Sequence, residues 1–196
     1  MIDRLAHLIS TLERTGQLPP HWEAPDEDLR AAWAACPSGA TLLHAAMAAD
    51  DQRGLVLAAS ACARAALGHV TPGDERARRA IDLAEAWTRG EATAADVERA
   101  SVDAEAAASA AASNAEFNAC CAASVAARTA SRVRYTATHV AAVYVAEAAM
   151  PDDPPDDDAA PASEAVLATL ADVVRAHVQC PTLEQLRAAF PRRFDL

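Results

Sequence analysis

The stretch RRAIDLAEAWTRGEATAADVERA, residues 78–100, decides the fold. Ala77, just before it, begins an apolar row that Ile81, Ala84 and Trp87 or Thr88 continue at the spacing of one helix face. Thr71 is placed to cap that helix and Pro72 to open it, with Asp74 and Glu75 in the first turn. The opposite face holds Asp74, Arg78, Asp82, Glu85 and Arg89. Two acid-first pairs, Asp74 with Arg78 and Glu85 with Arg89, favour helix by roughly 0.2–0.5 kcal/mol each. Gly90 can take the left-handed conformation that stops a helix. Thr93 then opens a second helix with a capping box, Asp96 standing three residues on. The stretch reads as a helical hairpin.

Working outward, the same grammar recurs. Leu5, Leu8, Ile9 and Leu12 line one face of a helix over 2–15, which Gly16 and Pro19-Pro20 end. After Pro25 a helix restarts with Asp26, Glu27 and Asp28 where its dipole favours acids. Helices are expected over about 40–49 and 52–69, the second capped by Asp50 or Asp51. From Ala94 to about Ser113 the apolar face is alanine and serine, side chains that bury little area each but let helix axes approach closely. Asn114 caps a new helix or marks a bend, and another helix is expected over about 132–149. PDDPPDDDAAP, residues 151–161, has four prolines and five aspartates and reads as a solvated linker. Beyond it lie a helix through about 178 and a last short one opened by Thr182 with Gln185. The expected architecture is all-α: one alanine-rich bundle of antiparallel helices over 1–150, the linker, and a C-terminal helical tail over 162–196. That tail either docks back on the bundle or reaches a neighbouring subunit.

Composition agrees. Hydrophobic residues make up 52% but aromatics only 4%, and alanine is the strongest helix former. All 17 basic residues are arginine, yet the net charge is −11. That balance argues against nucleic acid as a direct ligand and suits a basic protein surface, or simply solubility. The five cysteines are irregularly spaced and are expected to be reduced and buried. The N-terminus lacks signal-peptide architecture, and no charge-free apolar run is long enough to cross a bilayer, so a cytoplasmic protein is expected.

Few residues carry chemistry. Cys62 with His69, and Cys36 with His44, lack the paired spacing of zinc ligands, so no metal or other cofactor is expected. Cys120-Cys121 sits mid-helix in an alanine run, which suits packing better than nucleophilic attack. Arg128, Arg132, Tyr135 and His139 fall along one helix face, either to hold a phosphate or carboxylate or as a polar contact between helices.

The segment from Cys62 to Ala111 resembles the all-α immunity proteins of bacterial polymorphic-toxin systems. The resemblance rests on Arg79, Ala80, Ile81 and Trp87 followed by the Gly90-Glu91 pair, then the alanine-rich helices after Thr93, and covers about residues 50–150. It implies a non-catalytic binding protein that blocks a co-encoded toxin. Within that pattern Arg79, Ile81, Gly90 and Thr93 are structural. Trp87 is a core anchor or a partner contact, and Glu91 accepts amides of the next helix or meets a partner. Residues 1–50 and the tail lie outside the resemblance. Three functions are therefore carried forward. The first is a binder occluding a protein partner through an acidic helical surface. The second is an assembly protein that self-associates through small-residue helix faces. The third is an enzyme or small-ligand binder using the Arg128–His139 face.

Overall fold

A helix needs its first amides satisfied, and this chain supplies an acceptor at several starts. Asp3 accepts from the amides of Leu5 and Ala6 and opens α1 (Arg4–Thr15). α2 (Pro25–Ala35) begins at a proline, whose missing amide costs nothing there. Ser38 opens α3 (Gly39–Ala46), and Asp51, not Asp50, opens α4 (Gln52–Ala65). A 3-10 turn at Leu67–His69 leads to α5 (Arg76–Thr88), α6 (Ala94–Ser109), α7 (Asn114–Ser131) and α8 (His139–Ala148). α9 (Ala159–His177) and α10 (Leu183–Ala189) complete the chain. The computed structural model describes residues 3–49, 51–131, 139–150 and 159–190, and among these it is built of ten α-helices with no strand. The chain is all-α.

The hairpin is α5 and α6, with one change at its start. Thr71 does not cap α5: its amide donates to Glu116 at 2.9 Å, and the helix begins only at Arg76. Asp74 receives the Arg76 amide (3.0 Å) and guanidinium (2.9 Å) instead. The buried row is Ala77, Ile81, Ala84 and Thr88, with Trp87 half-buried. The intrahelical ion pairs are also redistributed. Arg64 of α4 donates to both carboxylate oxygens of Glu85 (2.8 and 2.7 Å) and to Asp82 (2.7 Å). A two-pronged guanidinium pair between helices outcompetes a single-point pair along one. Gly90 ends α5 at φ 79°, its amide donating to the Trp87 carbonyl and that of Glu91 to the Ala86 carbonyl. These are the two bonds of a Schellman stop, which asks for a residue tolerant of positive φ. The Thr93–Asp96 capping box then opens α6.

α7 lies at the centre, packed by α4, α5, α6 and α8. Its Ala119, Ala122, Ala123 and Ala126 are fully buried in the main core, beside Leu42, Leu43, Ile81 and Leu170. Ala127 and Ala130 enter a second cluster with Val56, Ala80, Ala84 and Val97. Between α6 and α7 the hydroxyls of Ser101 and Ser124 satisfy each other at 3.2 Å, so neither is left buried without a partner.

The helices after the acidic segment belong to this core. α9 packs on α3, α4 and α8, and α10 touches α2. α9 already begins at Ala159, inside the stretch expected as linker; residues 151–158 lie outside the described residues, as do 132–138. Arg175 of α9 donates to the Trp33 carbonyl (3.2 Å) and to that of Cys36, satisfying acceptors at the end of α2. Gly39 marks where α3 and α9 come closest. A Cβ there would stand 2.7 Å from the Leu170 Cβ and 2.9 Å from its carbonyl carbon. Gly39→Ala is therefore expected to lower stability by about 1–3 kcal/mol despite alanine's better helix propensity, measured as an earlier urea midpoint. An unchanged or later midpoint would show that α9 is not held so tightly.

Candidate partner-binding site

Antiparallel order places the C-terminal ends of α5 and α7 at one end of the bundle, with the α5–α6 turn and the start of α4. There the Gln52 side-chain amide donates to the carbonyls of Thr129 and Ala130, at 3.1 and 3.4 Å. Trp87 packs half-buried on the small cluster that contains Ala127 and Ala130, which lie one residue before and two after Arg128. Glu91 stands exposed in the turn, its carboxylate accepting from Arg89 at 2.8 Å, and it is the Thr93 hydroxyl that accepts the Asp96 amide at the start of α6. Ile81 is fully buried. Arg79 is exposed and lines a cleft of about 320 Å³ between α5 and α6, with Leu83, Asp96, Arg99, Ala100 and Asp103. Of the expected Arg128–His139 row, Arg132 and Tyr135 lie outside the described residues, and of His139 only the backbone start of α8 is described.

Arg128 itself is held. It forms an ion pair with Glu105 across the α6–α7 contact. Around that pair, Cys121 of α7 feels Glu105, Arg128 and Glu147, and Tyr144 of α8 feels Cys121, Glu147 and Glu105. One arginine, two carboxylates, a thiol and a phenol from three helices thus share a neighbourhood. Burial pushes both the Cys121 thiol and the Tyr144 phenol up, and the nearby carboxylates add to it. Sequence reading missed Glu105, Cys121, Tyr144 and Glu147 as neighbours. The i, i+4, i+7 row Cys121, Val125, Arg128 is visible in the sequence, but in an alanine-rich helix it does not say which face is outward.

Burial dominates the other thiols as well. It pushes Cys36 and Cys62 up to about 12, and Cys120 and Cys180 to about 11. All are neutral thiols near pH 7, which leaves little thiolate for attack. Among the described residues no group of three His, Cys, Asp or Glu side chains is placed to hold a metal ion. No described helix is long and apolar enough to cross a membrane. A second cleft, about 430 Å³, runs between α2 and the end of α9, lined by Arg30, Trp33, Arg175 and His177 among others.

One cleft of mixed charge, one lined by basic side chains without an acid, and a polar cluster thus lie on a tightly packed body. Residues 45–172 match the model of a family described as "Imm-5 like putative immunity protein". No curated protein and no solved structure matches the chain. The matched stretch takes in the end of α3, all of α4 to α8 and most of α9, more than half of the 196 residues. The chain belongs to the Imm-5-like family of immunity proteins.

Proposed function

We propose that this protein is a non-catalytic, cytoplasmic binder that neutralises a toxin encoded beside it by stoichiometric occlusion. Family membership over α4–α9 is the observation that carries the reading. Two features support it. The net charge of −11 favours capture of a basic protein over nucleic acid, and steers that encounter at a distance. The buried thiols are neutral, and the one described guanidinium of the Arg128 row is already ion-paired. The test is growth rescue. The product of the adjacent gene, induced alone in a heterologous bacterium, is expected to arrest growth; co-expression of this chain restores it, and the two co-purify at equal stoichiometry. A toxic neighbour that this chain neither rescues nor binds overturns the reading.

A further inference from the structure

Among the described residues two large apolar side chains stand exposed, Val102 at 53% and Phe117 at 43%. Both belong to the α6–α7 pair. Val102 lies one turn before Glu105 on α6, and Phe117 one turn before Cys121 on α7, so each shares a face with its neighbour. The two helices pack on one another and α7 packs on α8; Arg128 of α7 pairs with Glu105 of α6, and Cys121 lies close enough to feel both Glu105 and Glu147 of α8. Tyr144 of α8 is half-buried at the same place. The two exposed apolar side chains thus lie on the helix faces that carry Glu105 and Cys121, with Arg128 as the neighbouring cation and already paired to Glu105.

We infer that this α6–α7–α8 face is where the partner docks, and that the partner is a protein presenting guanidinium or ammonium groups around an apolar side chain. The inference rests on the toxin-blocking reading and gives it an address. Charge selects the occupant. Arg128 offsets Glu105 but not the exposed Glu147, so a second copy would bring an excess of carboxylate against itself, on chains that each carry −11. Phosphates, whether of nucleic acid or lipid, would be repelled by the same carboxylates. A basic protein surface gains from both the carboxylates and the apolar pair, the central-anchor arrangement of tight interfaces.

The probe is an amphipathic helical peptide of about four turns, leucine on one face and arginine on the other, titrated into the isotope-labelled full chain. Saturable amide shifts are expected around Val102, Glu105, Phe117, Cys121 and Glu147. Affinity should fall roughly tenfold as salt rises from about 50 to about 300 mM. Val102→Asp and Phe117→Asp, both at exposed positions, should each weaken binding about tenfold or more without lowering the melting temperature, and Phe117→Ser serves if the aspartate disturbs α7. Arg30→Gln, in the cleft between α2 and α9, should bind as the parent does. Shifts centred on either cleft, no saturable shift, or sedimentation showing a dimer that Val102→Asp dissociates would overturn the inference. Growth rescue separates the two levels. Full rescue by the Val102→Asp/Phe117→Asp double variant keeps the toxin-blocking reading and removes this face. Mapping to the face without rescue does the reverse.

Discussion

Ala123→Leu is expected to cost about 3 kcal/mol, a large share of an ordinary domain's total stability. Ala168→Leu, the same change at an exposed site on α9, should stay within about 0.5 kcal/mol. The two substitutions differ little in helix propensity, so the contrast isolates packing. Ala123 is fully buried in the middle of α7, which other helices pack on several sides. Three added carbons there have no solvent to turn to and no small neighbour able to give way, since Ala119, Ala122 and Ala126 on the same helix are fully buried too. Urea titration followed by ellipticity measures both variants. A loss below about 1 kcal/mol for Ala123→Leu would mean the interior is looser than close packing allows.

That contrast also explains what could be read from sequence and what could not. Helix existence was legible because its signals are local. Gly16, Thr93 with Asp96, Thr182 with Gln185, and Gly90 act within one turn of themselves, and all four stand where the sequence placed them. The start of α5 was misread because the competitor was remote: Glu116, forty-five residues on, takes the Thr71 amide. The same holds for the ion pairs. Glu85 looked committed to Arg89 along the helix, but Arg64 reaches it from α4 with two donors. The candidate site was legible only in pieces. The sequence leaves Trp87 and Glu91 as partner contacts or structural residues and Arg128 as an anion-holding or inter-helix residue; the structure brings Trp87 and Arg128 to one end of the bundle, with Arg128 drawn to Glu105. In alanine-rich helices every face looks buried, so the outward position of Val102 and Phe117 depends on neighbours that no local pattern encodes.

Glu116→Gln is the second large effect, expected to cost about 2–3 kcal/mol at neutral pH through two weakened charge-assisted bonds. Glu116 is a largely buried residue whose carboxylate, in part-buried bonds, accepts from the Thr71 amide at 2.9 Å and the Ala112 amide at 3.0 Å. It therefore ties the loop before α5 to the turn before α7, and so fixes the hairpin on the central helix. The Thr71 side chain together with those two amides holds its carboxyl below the ordinary range, while burial and the nearby Asp74 charge push weakly the other way. The sign follows from linkage. A depressed folded-state pKa gives stability that is fully present above the unfolded value, about 4.3, and is lost as pH falls through the lower folded value. Protonated Glu116 and glutamine are nearly isosteric. The gap between parent and variant should accordingly be widest at pH 7 and close in acid, below about pH 4, in paired urea titrations. Asp74, also held low by the Arg76 guanidinium and amide, titrates in the same window but is present in both proteins and largely cancels. A gap that stays constant with pH would mean that Glu116 acts by shape alone, and that the hairpin is seated on α7 by alanine packing without help from charge.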